Sequence, residues 1–156
     1  MTLKVFLGAD HRGFALKERI KAWLAEAGYA IEDMGAHALD ASDDYPDFGL
    51  AVGREVAKNP EEHRGILFCG SGIGIAIAAN KVRGVRASLV TSPELARAAR
   101  NDEDLNVLSL SADHTDEESA RRILEAFLST PFSAEERHRR RKDKITRAEH
   151  AGSSSN

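Results

Sequence analysis

Residues 65–81 read GILFCGSGIGIAIAANK and carry the clearest structural signal in the chain. The segment 65–69 is a short apolar run, which is typical of a strand buried in a sheet. Gly70, Gly72 and Gly74 then form a turn, and small apolar residues continue with helical character. A buried strand that enters a helix through a glycine turn indicates a parallel α/β fold.

The same alternation of strand and helix continues in both directions from this stretch. Strands are predicted at 3–9, 30–34, 85–90 and 107–110, and helices at 13–27, 46–57, 93–100, 116–128 and 134–149. Helices between successive strands imply right-handed crossovers, which produce a parallel sheet covered on both faces. We therefore predict a Rossmann-like three-layer αβα sandwich with a five-stranded parallel sheet and an extra C-terminal helix.

Length and composition predict one folded domain over 1–150 and a disordered tail over 151–156. The chain has 156 residues, 42% of them hydrophobic and 30% charged, which is the balance of a globular protein. No apolar run approaches the roughly 20 residues of a membrane span, and the opening residues contain no export signal. Cys69 is the single cysteine, so no internal disulfide can form. We expect a cytoplasmic protein with no membrane partner.

The glycine turn and its cysteine have both a structural and a chemical interpretation. Backbone N–H groups at such a turn can bind an anion, but the same glycines can serve only to make a tight turn. The spacing G-x-G-x-G is neither the dinucleotide motif nor a nucleotide P-loop. A helix start favours the thiolate form of Cys69, whereas a cysteine at the end of a buried strand is often just a small core residue.

Five short motifs point in one direction when they are taken together. They are ADHRGF at 9–14, DYP at 44–46, CGSGIG at 69–74, IAANK at 77–81 and NVL at 106–108. In order and spacing the chain resembles the ribose-5-phosphate isomerase B and galactose-6-phosphate isomerase family, from about residue 4 to residue 145. The resemblance implies an aldose-ketose isomerase that acts on a small sugar phosphate of the ribose 5-phosphate type. It also implies proton transfer through an enediolate without a metal or other cofactor.

The resemblance also implies roles for particular residues. Cys69 would be the catalytic base, and Ser71 with the turn amides would hold the enediolate oxygens. The residues implied to bind substrate are Asp10, His11, Tyr45, Gly70, Gly72, Gly74, Asn101, Arg137 and Arg141. Arg137 and Arg141 lie four positions apart, on one face of the last predicted helix, where two guanidinium groups can bind a phosphate. Without the resemblance, this basic end is a solvated helix face and Tyr45 a loop anchor.

The chain departs from the family pattern in the segment 100–106. Members that isomerise a cyclic pentose phosphate have a ring-opening histidine there, whereas this segment reads RNDEDLN. Either Arg100 or Asp102 occupies that position, and we take Asp102 as the candidate catalytic residue. The arginine usual after the next strand is also absent, and Asp113 stands there. A tetrose or hexose phosphate is therefore an alternative substrate, and a non-catalytic sugar-phosphate-binding protein is an alternative function.

Assembly is the last property that the sequence addresses. The helix predicted at 134–149 has little apolar surface, so we expect a partner subunit to support it. The resemblance implies a homodimer or homotetramer with a shared active site, in which the arginines reach a neighbour's cysteine turn. A nucleic-acid-binding function is disfavoured, because the net charge is −3 and few aromatic residues lie near the basic cluster. The histidines other than His11 are predicted to lie on the surface.

Overall fold

Five parallel strands and six helices make up residues 3–152, the part of the chain that the computed structural model describes. The strands are β1 (Lys4–Ala9), β2 (Ala30–Asp33), β3 (His63–Cys69), β4 (Ala87–Leu89) and β5 (Val107–Ser111). The helices are α1 (Phe14–Glu26), α2 (Tyr45–Lys58), α3 (Ile73–Ala79), α4 (Pro93–Glu103), α5 (Glu117–Ser129) and α6 (Glu136–Ala151). The strand order is β2-β1-β3-β5-β4, and the predicted α/β sandwich is confirmed. Within residues 3–152, no helix has the length and apolar character needed to cross a membrane.

Each face of the sheet has its own apolar core. Helices α1, α4 and α5 cover one face, where Ile66 and Phe68 of β3 are fully buried. Helices α2 and α3 cover the other face and pack against Leu67 and Cys69. Successive residues of a strand point to opposite faces, so the apolar run of β3 fills both cores. The same alternation turns the thiol of Cys69 toward α2 and α3.

The carboxyl ends of the central strands meet at one edge of the sheet. After β1 the chain continues to one side, to β2, and β3 lies on the other side, so the strand order reverses between β1 and β3. Ligands of open α/β sheets bind at such a switch point. Gly13 lies so close to the Phe68 carbonyl that a β-carbon would overlap it. On the other side, the amide of Ala112 donates to the Cys69 carbonyl at 2.9 Å.

Helix α6 is attached to the body of the chain mainly by polar contacts. Lys142 forms an ion pair with Asp104 at 3.0 Å, and the carboxylate of Glu149 accepts from the amide of Gly84 at 3.2 Å. The helix ends at Ala151, two residues beyond its predicted end and within the predicted tail. The rest of that tail prediction, from 153 onward, lies outside the described residues.

Candidate functional site

The thiol of Cys69 is held at the start of the glycine turn. Cys69 is the last residue of β3, and only 4% of it is exposed. Its Sγ accepts a hydrogen bond from the amide of Gly72 at 3.1 Å. Gly72 has a φ of +76°, and a β-carbon there would lie 2.9 Å from the Leu110 carbonyl, so both conformation and space require glycine. An amide donor aimed at sulfur stabilises negative charge on it, which suits a thiolate base.

Ser71 lies at the exposed tip of the same turn. Its Oγ accepts a hydrogen bond from the amide of Ile73 at 3.1 Å. The side chains of Cys69 and Ser71 therefore already bind two of the turn's amides. The hydroxyl proton of Ser71 stays available, because this bond uses only a lone pair of the oxygen.

The glycine turn also carries an arginine that the sequence analysis did not select. The Arg12 guanidinium lies directly against Gly70, in space that any β-carbon would occupy, and it forms an ion pair with Asp113. Arg12 thus supplies a cation at the first glycine of the turn. Arg12 lies inside the 9–14 motif, and this position could have indicated a functional role. Within that motif, only Asp10 and His11 were predicted to bind substrate.

Tyr45 closes the turn from the side of α2. A β-carbon on Gly74 would lie 2.6 Å from Cζ of Tyr45, so the tyrosine ring packs directly on the glycine backbone. The ring is partly exposed, and Tyr45 is the first residue of α2. Gly70 and Gly74 are therefore needed for the close approach of Arg12 and Tyr45.

Asp10 and His11 follow β1 and adopt different roles in the local structure. Asp10 is buried, and its Oδ1 accepts from the amides of Arg12 and Gly13, each at 3.0 Å. One oxygen of Asp10 therefore fixes the turn into α1. His11 is bound by Asp43, a second residue that the sequence analysis did not select.

The predicted phosphate-binding arginines lie away from this turn in their own chain. Arg137 and Arg141 are exposed on α6, and Arg137 forms an ion pair with Glu135 at 3.0 Å. Among the described residues, neither arginine contacts Cys69 or the 70–74 turn. The structure of one chain therefore does not bring the thiol and these guanidinium groups together.

The first part of the segment 100–106, predicted as a loop, is instead the last turn of α4, which extends to Glu103. Arg100 is buried and donates to the carbonyls of Thr130 and Leu105, at 3.2 and 2.6 Å. These contacts make Arg100 part of the framework, so it is not available as a ring-opening group. The sequence alone does not show which of Arg100 and Asp102 is accessible. In the structure Arg100 is buried and Asp102 is exposed.

Asp102 lies on the accessible side of that helix. Its side chain is 43% exposed, and Oδ1 accepts a hydrogen bond from the side-chain Nδ2 of Asn101 at 2.7 Å. Nε2 of His138 lies 3.7 Å from Asp102 Oδ1, and Nδ1 of His138 contacts the Ser133 hydroxyl at 2.6 Å. His138 is buried, so the prediction that it lies on the surface was wrong. Its neighbours Ser133 and Asp102 provide the polar partners that a buried imidazole requires.

The fold and the site define an α/β protein with a cysteine and a glycine turn at the carboxyl edge of its sheet, and comparison with known proteins gives its family. The ribose/galactose isomerase family model matches residues 5–145, and the chain belongs to this family. The probable ribose-5-phosphate isomerase B of Mycoplasma genitalium is 42% identical over 149 residues, which cover 96% of this chain and 97% of that protein. The ribose-5-phosphate isomerase B of Escherichia coli is 38% identical over 94% of this chain and 96% of its own length.

Solved structures give the same relationship. The crystal structure of ribose-5-phosphate isomerase B from Mycoplasma genitalium with bound ribulose-5-phosphate superposes with a TM-score of 0.92 at 41% identity, covering 96% of this chain and 98% of that one. The type B ribose 5-phosphate isomerase of Trypanosoma cruzi gives a TM-score of 0.91 at 42% identity, with 97% and 99% of the chains covered.

Proposed function

We propose that this protein is an aldose-ketose isomerase that interconverts ribose 5-phosphate and ribulose 5-phosphate. The observation that carries the proposal is the thiol of Cys69, which receives an amide hydrogen bond at the mouth of a glycine turn. Relatives of matching length are named ribose-5-phosphate isomerase B, and one of them has been solved with ribulose-5-phosphate bound.

The reaction needs one base and donors for a developing oxyanion. In the direction from aldose to ketose, the Cys69 thiolate removes the proton from C2. The electron pair forms the C1–C2 double bond, and the C1 carbonyl oxygen becomes an oxyanion. The thiol then returns the proton to C1 while the C2 oxygen becomes the carbonyl and its proton passes to the C1 oxygen. The Ser71 hydroxyl and the turn amides that Cys69 and Ser71 do not already bind donate to the oxyanion, and each such donor contributes about 3 kcal/mol. Arg12 adds positive charge beside the turn.

The phosphate end of the substrate requires a second subunit in this proposal. Arg137 and Arg141 are exposed and do not reach the turn of their own chain, so we assign them to the site of a partner in a homodimer or homotetramer. Ile73 and Ile77 support this assignment, because they are about half exposed on α3 next to the turn and would be covered by a partner. A Cys69→Ala protein mixed with an Arg137→Ala/Arg141→Ala protein should regain part of the activity through hybrid dimers. Two inactive variants that show no rescue would contradict a shared site.

The sugar itself is tested by a panel of substrates. Asp102 is the ring-opening candidate for a cyclic pentose phosphate, and a tetrose phosphate substituted at its terminal oxygen needs no ring opening. Purified protein is assayed with ribose 5-phosphate, allose 6-phosphate and erythrose 4-phosphate, with Cys69→Ala as the control. We expect Cys69-dependent turnover of ribose 5-phosphate on the order of 10 per second. Turnover of another sugar alone would reassign the substrate, and binding without turnover would favour the alternative of a non-catalytic sugar-phosphate-binding protein.

We also propose a cytoplasmic location, which is compatible with a chain whose single cysteine cannot form an internal disulfide.

A further inference from the structure

His11 is held by a carboxylate from a distant part of the chain. Oδ1 of Asp43, in the loop before α2, accepts from the backbone amide of His11 at 2.9 Å and contacts Nδ1 of its ring at 2.7 Å. An ionised carboxylate can only accept, so Nδ1 carries the proton in this contact. Two bonds from one oxygen, to the backbone and to the ring, fix the orientation of the imidazole.

Asp43 is buried to a degree that makes its charge costly without compensation. Its side chain is only 10% exposed, and Oδ2 has no hydrogen-bond partner within residues 3–152. A buried carboxylate with one unsatisfied oxygen is stabilised by a cation in direct contact. His11 is the one titratable group bonded to Asp43 in the described part of the chain, and its protonated form supplies that cation.

The other charges around His11 come from two segments. Asp10 and Arg12 flank it in the turn after β1, and Asp40 and Asp43 face it from the loop before α2. The hydrogen bond to Asp43 raises the pKa of His11 above its ordinary value. The charge of Asp10 also raises this pKa, whereas desolvation and the charge of Arg12 lower it. Three carboxylates against one guanidinium leave the surroundings of the ring negative.

The opposite side of the ring is open to a ligand. The His11 side chain is 31% exposed, and Nε2 has no hydrogen-bond partner among residues 3–152. His11 is the second residue after β1, at the carboxyl edge of the sheet and next to the arginine that lies on Gly70. A protonated ring held in this way presents its Nε2–H as a donor to an anion at the same edge as the Cys69 thiol.

We propose that Asp43 is a positioning residue that keeps His11 as a fixed imidazolium, whose Nε2–H donates to an anionic oxygen of the substrate. The inference rests on the proposed function in one respect, that the substrate is a phosphorylated sugar. Asp43 itself touches no substrate. Its role is to set the charge and orientation of the ring, and this extends substrate binding to higher pH.

A titration of His11 by NMR tests the charge of the pair without any substrate. Asp43→Asn keeps the size of the side chain and removes its charge, and Asp44→Asn is the matched control, because Asp44 is exposed and makes no side-chain cap hydrogen bond. We expect the His11 pKa to lie above its ordinary value in the unmodified protein and to fall toward that value in Asp43→Asn but not in Asp44→Asn. A His11 pKa at or below the ordinary value in the unmodified protein would overturn the inference, whether or not the variants fold.

Kinetics separate positioning from simple structural support. With ribose 5-phosphate, KM should rise as the pH passes the His11 pKa, and in Asp43→Asn this rise should begin at a lower pH, with the change falling on KM more than on kcat. Asp43→Glu should restore part of the shift. A uniform loss of kcat at every pH would mean that Asp43 only supports the fold. If no sugar phosphate is turned over, inorganic phosphate replaces it, and a phosphate-dependent shift of the His11 signals that weakens in Asp43→Asn supports the inference independently of isomerase activity. Signals that ignore phosphate would contradict it.

Discussion

Replacement of Lys17 by methionine should lower the free energy of unfolding by about 3 kcal/mol, because it removes the cation of a buried ion pair. Lys17 is fully buried on α1, and its Nζ donates to both oxygens of Asp33 at 2.7 and 2.8 Å and to the Ala36 carbonyl at 2.7 Å. Removal of one partner of a buried ion pair costs about 3–5 kcal/mol. Methionine retains the apolar stem and Lys21 still pairs with Asp33 at 2.7 Å, so we expect the lower end, about 3 kcal/mol.

The matched control is Lys21→Met, which removes a cation from the same carboxylate at a position where 31% of the side chain is exposed. Partly exposed pairs contribute about 1 kcal/mol or less. Urea unfolding of both variants gives the two free energies, and thermal unfolding should show a decrease of about 6–12 °C for Lys17→Met. Equal losses in the two variants would refute the reasoning, because burial would then not determine the energy of the pair.

Three further predictions concern the turn and the stability at low pH. Gly72→Ala should lower kcat and the free energy of unfolding more than Gly28→Ala does. Both glycines have a positive φ, but only Gly72 has backbone atoms within 3 Å of the added β-carbon. Equal losses of unfolding free energy in the two variants would contradict the steric argument. Arg12→Ala should lower kcat/KM for ribose 5-phosphate about tenfold, and an unchanged value would show that its pairing with Asp113 is purely structural. Burial acts to raise the pKa of Asp104, but the hydrogen bond from Lys142 and two arginine charges outweigh burial and lower it. The ionised carboxylate of Asp104 therefore stabilises the fold fully above about pH 4, and this contribution is lost as the pH falls through the lowered pKa. Acid unfolding should therefore be less steep in Asp104→Asn, and an unchanged profile would contradict this.

The fold could be predicted because its signals are local. The apolar run of β3 and the glycines after it specify a buried strand and a turn without reference to the rest of the chain. The end of α4 was predicted three residues too early. Arg100 in that last turn is bonded to Asp104, which adopts a left-handed conformation and ends the helix, and the sequence pattern does not report this contact.

Residues of the candidate site could be selected from the sequence only where they belong to a local motif, and their roles remain predictions. Cys69 and Ser71 stand together in the glycine turn, and the structure places both there. Asp43 and Asp113 contribute through partners 32 and 101 positions away, at His11 and Arg12, so no local pattern could identify them. Arg137 and Arg141 illustrate the converse case. Their spacing is local and evident, but the role proposed for them requires contacts with a partner chain, which the sequence of one chain does not show.

The most direct test of the account is the incorporation of solvent deuterium, together with isomerisation, for ribose 5-phosphate in heavy water. Unmodified protein and Cys69→Ala are compared, and circular dichroism verifies that the variant is folded. We expect isomerisation and deuterium incorporation at C1 and C2 to fall by about 10²–10⁴-fold in Cys69→Ala, because this is the usual contribution of a positioned base. If Cys69→Ala isomerises and exchanges as fast as the unmodified protein, another group is the base, and the proposed role of the thiol is wrong.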